Sequence, residues 1–171
     1  MRYFFLRFIN HCWNIMSFSE QTYGEIYDTQ KMYSLLCEHI SHPEGYRFYD
    51  FGSGYGKVVE EYSDKFKSLY GVEINKERHI MSLINKKSDK VSLIFGNFFH
   101  TTIEGPCVVF CNNLCLGNGS LKRLSQKFNK ELKSGDLLIV TKPMPLLREQ
   151  YKVSHTVNCS WGDSEIYLYT F

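Results

Sequence analysis

Apolar positions follow two alternating periods along most of this chain. Short apolar runs recur at five places, and the segments between them carry apolar residues at helical spacing. The short runs predict strands at residues 46–51, 69–73, 91–95, 107–111 and 136–141. The intervening segments predict helices at residues 57–67, 76–87 and 120–132. Strands that alternate with helices favour an α/β fold, in which helices cover a largely parallel sheet.

Both ends of this pattern add further elements. A helix is predicted over residues 29–40, because Asp28 is a suitable N-cap and apolar residues follow on one face. Residues 151–158 and 164–170 predict an antiparallel hairpin. The prediction is therefore a seven-stranded, mostly parallel sheet that ends in an antiparallel hairpin.

A glycine-rich loop, Asp50-Phe51-Gly52-Ser53-Gly54-Tyr55-Gly56, links the first predicted strand to the next helix. Strand, glycine loop and helix together bind adenosine-containing ligands, because glycine lets the backbone approach the ligand. Dinucleotide folds use G-x-G-x-x-G to hold a pyrophosphate, whereas this chain has G-x-G-x-G after an acid. The spacing is similar to the S-adenosylmethionine loop of class I methyltransferases. A tight glycine turn without a ligand is the alternative.

Polar side chains follow the next two predicted strands. Glu73 lies 17 residues after Gly56, where an acid accepts hydrogen bonds from a ribose diol. The alternative is an acid favoured by the dipole of the following helix. Asn97 would bond an adenine base and Phe98 would stack on it, unless both belong to an ordinary turn. For Phe99 we expect a place in the core.

Length, composition and charge limit the classes of protein to which this chain can belong. A chain of 171 residues, 43% of them hydrophobic, is expected to form one domain with a proper core. A formal charge of +2 is too small to indicate a nucleic-acid partner by itself. Cysteines at 107, 111 and 115 lie in and just beyond a strand whose residues alternate faces, so we expect reduced thiols and no metal site. Residues 1–22 are aromatic and basic but interrupted, a poor signal peptide or membrane span. We expect them to pack on the domain formed by residues 23–171, with contact to a partner as the alternative.

Further motifs resemble one methyltransferase family. Residues 108–117, V-V-F-C-N-N-L-C-L-G, resemble its V-N-N-F-x-F-G segment. Tyr23-Gly24-Glu25 is similar to its Y-G-E, residues 70–73 to its Y-G-V-E, Thr141-Lys142-Pro143 to its S-K-P, and Ser160-Trp161 to its S-W. This family is the non-SET histone lysine methyltransferases, known for disrupting telomeric silencing. The motifs occur in family order over residues 23–171, nearly the whole chain.

The resemblance implies a Rossmann-like class I methyltransferase fold and transfer from S-adenosylmethionine to a lysine amine. It adds Tyr23, Glu25 and Asn112 to the cofactor contacts named above. Asn112 would also orient the amine through its amide oxygen, by positioning and not as a base; strand-end turn chemistry is the alternative. Trp161 and a terminal tyrosine would wall the lysine channel. Tyr167 is our candidate for that tyrosine, although Ile166 aligns equally well.

The same resemblance implies a core histone lysine in chromatin as the substrate, on histone H3 or another histone. It also implies a nuclear or cytoplasmic location, without secretion or a membrane partner. The basic residues that would contact DNA or a nucleosome surface are Arg2, Arg7, Lys122, Arg123 and Lys127. A solvated helix face is the more ordinary interpretation of the last three.

The chain also departs from the family. Lys57 stands in place of a glutamine, Ile26 in place of a threonine, and Leu114 and Leu116 in place of two aromatic residues. Two other functions therefore stay open. One is a class I methyltransferase acting on nucleic acid or a small molecule, and the other is a cofactor-binding interaction module without turnover.

Overall fold

The computed structural model describes residues 24–149 and 153–171, and all elements below lie within them. The strands are β1 Arg47–Phe51, β2 Ser68–Glu73, β3 Val91–Phe95, β4 Cys107–Cys111, β5 Leu137–Val140, β6 Val153–Cys159 and β7 Gly162–Thr170. The α-helices are α1 Thr29–Cys37, α2 Lys57–Glu61, α3 Lys76–Asn85 and α4 Asn118–Glu131. The predicted alternation of strands and helices is confirmed. The predictions for Arg2, Arg7 and Tyr23, and for the segment 1–22, concern residues outside the described part of the chain.

The seven strands form one mixed sheet in the order β3-β2-β1-β4-β5-β7-β6. Neighbours from β3 to β5 are parallel, and β7 pairs antiparallel with both β5 and β6. The seven-stranded α/β sheet with a C-terminal antiparallel hairpin is thus confirmed. Strand order reverses between β1 and β4, whose carboxyl ends lie side by side. Open α/β sheets bind their ligands at such a switch point.

Apolar side chains cover both faces of the sheet. On one, which we call the α2 face, Met32 of α1 and Val59 of α2 are fully buried in a cluster with Phe48 of β1. On the other, the α4 face, Phe128 of α4 is fully buried in a second cluster. Successive residues of a strand point to opposite faces. Asp50, two residues after Phe48, therefore directs its side chain to the α2 face.

Local chemistry explains where the helices begin. The Asp28 side chain accepts a hydrogen bond from the Lys31 N–H at 3.3 Å, which confirms it as the N-cap of α1. Asn75 caps α3 in the same way. Helix α2 ends at Glu61, earlier than predicted. The chain continues there as turns in which N–H groups bond to carbonyls three residues back, as between Lys65 and Tyr62.

Candidate cofactor and acceptor site

The glycine loop turns sharply between β1 and α2. Gly52, Gly54 and Gly56 have φ angles of 90°, 54° and 80°, in the left-handed region that other residues rarely adopt. A Cβ atom at Gly52 would project into open space, whereas one at Gly56 would lie 3.2 Å from the Cβ of Ser82 on α3. The loop is therefore shaped by backbone conformation, and it keeps the space in front of Gly52 free.

Glu73 fastens this loop to the end of β2. Its side chain is 4% exposed, and its two oxygens accept hydrogen bonds from the Gly54 N–H at 2.8 Å and the Asn75 N–H at 2.7 Å. Each carboxylate oxygen can accept one further hydrogen bond. The helix-dipole alternative fits less well, because α3 begins at Lys76 and the acid in its first turn is Glu77. Glu73 thus lies at the loop with acceptor capacity left over.

Asp50 is the second buried acid at this loop. It is 2% exposed, and burial, followed by the neighbouring Glu73 carboxylate, raises the pKa of Asp50 to about 8. At neutral pH its carboxyl group is therefore largely protonated. A cation placed beside it would favour the ionised form and lower the pKa.

A cleft opens beside Asp50, at the carboxyl ends of β1 and β4. Its lining residues are Gly24, Glu25, Ile26, Asp50, Gly52, Ser53, Lys57, Val58, Phe110 and Asn112. The structure thus brings together five of the predicted site residues: Glu25, Asp50, Gly52, Ser53 and Asn112. The sequence prediction missed Val58 and Phe110 as lining residues. Strand alternation would have found Phe110, since it lies two residues before Asn112 on the same face.

Asn112 is held at both ends of its amide. Its Nδ2 donates to the Gly24 carbonyl at 3.3 Å, and its Oδ1 accepts from the Thr141 hydroxyl at 2.9 Å. Because the Gly24 carbonyl can only accept a hydrogen bond, the amide nitrogen of Asn112 must face it, and this fixes the orientation of the amide group. Asn113, by contrast, is fully buried and bonds to the Lys142 carbonyl at 2.8 Å. Of the paired asparagines, Asn112 reaches the cleft and Asn113 ties β4 to the end of β5.

Gly24 also lies against Trp161. A Cβ atom at Gly24 would overlap the six-membered ring of the indole, so only glycine allows this approach. The adjoining residues are paired as well: the Glu25 N–H donates to Ser160 Oγ at 3.0 Å, and the Ser160 N–H donates to the Glu25 carbonyl at 2.8 Å. The segment beginning at Gly24 therefore connects Asn112 to the turn between β6 and β7.

Other predicted residues lie away from this cleft. Tyr167 packs with the apolar cluster of the α4 face and donates to Glu165, whereas Ile166 is buried on the α2 face. Phe98 also lies on the α4 face, stacked on Phe51 with ring centroids 5.3 Å apart. The Asn97 side chain accepts a hydrogen bond from the Phe99 N–H at 3.0 Å. The structure does not bring these residues together with Asn112.

The basic side chains of α4 differ in the groups that they already contact. Lys127 is 8% exposed, donates to the Thr101 carbonyl and pairs with Glu131 at 2.8 Å. Its ammonium group is therefore already paired and largely buried, and a contact between Lys127 and DNA stays a prediction. The Arg123 guanidinium lies 4.4 Å from the ring centroid of Phe99, which packs on the core as expected.

Comparison with known families agrees with this geometry. The family described as "Histone methylation protein DOT1" matches residues 10–162 of the chain. The chain belongs to this family. The matched range contains Gly24, Asn112, Thr141 and Trp161, which the contacts described above join to one another. None of the curated proteins matches the chain significantly.

Solved structures with the same fold include several methyltransferases. An RNA methyltransferase from Salinibacter ruber, in complex with S-adenosyl-L-homocysteine, has a TM-score of 0.64 at 20% identity, covering 82% of this chain and 90% of that one. Magnesium protoporphyrin IX methyltransferase from Synechocystis PCC 6803, with bound SAM, has a TM-score of 0.64 at 11% identity, covering 83% and 78%. An N-methyltransferase from Bradyrhizobium japonicum WM9 also has a TM-score of 0.64, at 11% identity, covering 82% and 94%. At these identities the likeness shows the fold alone, which is the class I methyltransferase fold expected for this family.

Across residues 24–149 and 153–171, no group of histidine, cysteine and carboxylate side chains is arranged to hold a metal ion. Within the same ranges, none of the helices combines the length and apolar character that crossing a membrane requires.

Proposed function

We propose that this chain is an S-adenosylmethionine-dependent protein lysine methyltransferase that acts on a lysine of a core histone in chromatin. The observation that carries the proposal is the meeting of three family motifs at one cleft. Gly24 of Y-G-E, Asn112 of N-N and Trp161 of S-W lie far apart in sequence and are joined by direct contacts. The family match supports the histone substrate.

The cleft suits S-adenosylmethionine. Glu73 has acceptor capacity for a ribose diol, and the missing side chain of Gly52 leaves space beside the loop. Asp50, whose pKa is raised by burial, would hold a cationic group by ionising beside it. Lys57, whose Nζ lies 5.2 Å from the Tyr27 ring centroid, brings a positive charge for a carboxylate. These groups match the diol, ammonium and carboxylate of that cofactor.

S-adenosylmethionine, when bound, supplies an electrophilic methyl group on its sulfur. The chain's part is then to position the acceptor. A lysine amine has a pKa near 10.4, so it must lose a proton to solvent before it can attack. Apolar walls favour that neutral form, since burial disfavours an ammonium group. Asn112 would orient the amine through Oδ1, which accepts one hydrogen bond from Thr141 and keeps a second lone pair.

The test is a transfer assay on the full chain with three substrates. The protein is incubated with S-adenosylmethionine labelled in its methyl group and, separately, with nucleosomes, free core histones and RNA. Mass spectrometry then identifies the labelled molecule and residue. We expect label on one histone lysine, more on nucleosomes than on free histones.

Two results would contradict the proposal. Label on RNA would assign the chain to a methyltransferase of nucleic acid. Absence of transfer to all three substrates, with cofactor binding intact by calorimetry, would indicate a binding module without turnover on histones. A parallel reaction with Asn112→Ala separates enzymatic label from chemical background, because that variant lacks the proposed positioning group.

A further inference from the structure

Asp50 is a buried acid without a hydrogen-bond partner among the described residues. It is 2% exposed and lines the cleft, and no described side chain or backbone group donates to its carboxyl oxygens. Burying a polar group without a partner is costly, so such groups usually serve a ligand or contact solvent. The carboxyl group of Asp50 is therefore in place to meet a donor that enters the cleft.

The titratable groups next to Asp50 are themselves acids. Glu73 adds a second buried carboxylate, and the two backbone N–H groups that donate to it favour its charged form. Cys111 of β4 and Tyr62, just after α2, contribute a thiol and a phenol, and burial raises the pKa of both, so both stay neutral. Neighbouring buried carboxyl groups do not readily ionise together, so Asp50 is the one that keeps a proton.

Within the described part of the chain, the cleft does not set a cation beside Asp50. Lys57 lines the cleft, but its Nζ lies 5.2 Å from the ring centroid of Tyr27. The pKa of Asp50 accordingly shows the effects of burial and then of Glu73, both of which raise it. Glu25, which also lines the cleft, brings another carboxylate. A cation beside Asp50 would therefore come with the ligand.

We propose that Asp50 gives up a proton to solvent when S-adenosylmethionine binds, and then holds the ammonium group of the cofactor as a carboxylate. The inference rests on the proposed function, which assigns this cofactor to the cleft. Before binding, Asp50 is a neutral carboxyl group and the cofactor carries an ammonium group, which keeps its own proton below its pKa of about 8. The complex holds a carboxylate and an ammonium group as an ion pair, and one proton goes to solvent.

This proton release makes cofactor affinity depend on pH. Between about pH 6 and pH 7 the ionised fraction of Asp50 in the ligand-free protein rises about tenfold, so the Kd of S-adenosylmethionine should fall by about tenfold. S-adenosylhomocysteine has the same ammonium group without the sulfonium charge, so it should show the same dependence. Methylthioadenosine lacks the amino-acid part of the cofactor, so its Kd should not change over this range.

Titration calorimetry of the full chain at about pH 6.5, in buffers of different ionisation enthalpy such as PIPES and imidazole, counts the protons released. We expect about one proton for S-adenosylmethionine and for S-adenosylhomocysteine, and none for methylthioadenosine. Asp50→Asn keeps the size of the side chain but cannot ionise, so this variant should release none. Glu25→Gln is the matched control, because it removes another carboxylate of the cleft lining and should still release the proton.

Each contrary result has its own meaning. If S-adenosylmethionine binds with a heat that does not depend on the buffer, the proton release is overturned while the proposed function stands. Proton release with S-adenosylmethionine but not with S-adenosylhomocysteine would overturn the pairing of Asp50 with the ammonium group. Release that persists in Asp50→Asn would assign the proton to another residue. Failure of S-adenosylmethionine to bind the parent at any pH would overturn this inference and the proposed function together.

Discussion

Among single residues, Thr141 has a distinctive place because its one hydroxyl group serves both asparagines. It donates to Asn112 Oδ1 at 2.9 Å and accepts from the Asn113 N–H at 3.1 Å. The amide of Asn112 therefore has a fixed orientation before any ligand arrives. Preorganised groups of this kind avoid reorganisation during the reaction.

Replacing Thr141 tests this positioning role. Thr141→Val removes the hydroxyl, so we expect kcat to fall by about tenfold with little change in KM for the cofactor, the effect of one lost hydrogen bond. Thr141→Ser keeps the hydroxyl and should restore kcat. Steady-state kinetics of both variants give the measurement. Equal kcat values in the two variants would show that the hydroxyl does not position Asn112.

Replacing Glu73 tests its proposed role in binding the ribose of the cofactor. Glu73→Ala should weaken S-adenosylmethionine binding by about 1.5–3 kcal/mol, the loss expected for hydrogen bonds to a charged acceptor. Glu73→Gln keeps the size and one accepting oxygen, so its loss should be smaller. Calorimetry measures both affinities, and thermal unfolding checks that the loop at Gly54 survives. Unchanged affinity in the alanine variant would remove Glu73 from ribose binding.

The raised pKa of Asp50 predicts that the stability of the ligand-free protein depends on pH. Its folded pKa of about 8 lies above its ordinary value of 3.8, so between these values the folded state holds a proton that the unfolded state has lost. The free energy of unfolding therefore falls as pH rises through this window, by at most about 1.4 kcal/mol per pH unit. Asp50→Asn cannot ionise and should lack this contribution.

Urea unfolding of parent and Asp50→Asn at several pH values measures the difference. We expect the variant to gain stability relative to the parent as pH rises from about 4 to 8, because removing the ionisable group removes its contribution. Beyond that range the difference should be constant. Parallel curves across the window would mean that the carboxyl group titrates at its ordinary pKa.

On the scale of elements, the site depends on a short segment that no periodicity predicts. Residues from Glu25 to Tyr27 run beside the β6–β7 turn, where Ile26 bridges to Cys159 and the Tyr27 N–H donates to the Asn158 carbonyl. This pairing carries Gly24 to Asn112. The hairpin therefore does more than extend the sheet, since it also anchors one wall of the cleft.

Gly24→Ala tests this anchoring. Its new Cβ atom would collide with the Trp161 ring, so the ring or the segment must shift. We expect a loss of about 1–3 kcal/mol in the free energy of unfolding, as for other overpacked sites, and reduced transfer activity. Gly45→Ala is the control, because nothing lies within 4 Å of its Cβ position. If both variants unfold at the same urea concentration, the close approach of Gly24 and Trp161 has no energetic importance.

The secondary-structure elements were easier to predict from the sequence than the side of the sheet to which each strand residue points. Strands β3 and β4 have the predicted bounds, because compact apolar runs between polar segments leave little choice. Ile166 and Tyr167 show the limit. Adjacent strand residues point to opposite faces, so a shift of one residue in the family alignment exchanges the side of the sheet. Lys127 shows another limit of prediction from sequence. The sequence shows Glu131 four residues later, where it can pair with Lys127, but it does not show that the Lys127 side chain is buried.

For the molecule as a whole, the fold explains why motifs so distant in sequence lie together. The reversal of strand order brings the ends of β1 and β4 side by side, which joins the glycine loop to Asn112. The hairpin adds Trp161 from the other end of the chain. The residues proposed to bind the cofactor and to position the acceptor therefore meet at the carboxyl ends of the central strands.

The measurement that tests this account most directly compares cofactor binding and methyl transfer in Asn112→Ala. Calorimetry should show that the variant still binds S-adenosylmethionine, because the glycine loop, Asp50 and Glu73 are untouched. Single-turnover transfer to nucleosomes should slow by about 100-fold, as for other lost positioning groups. Normal turnover in the variant would remove Asn112 from the site and contradict the account.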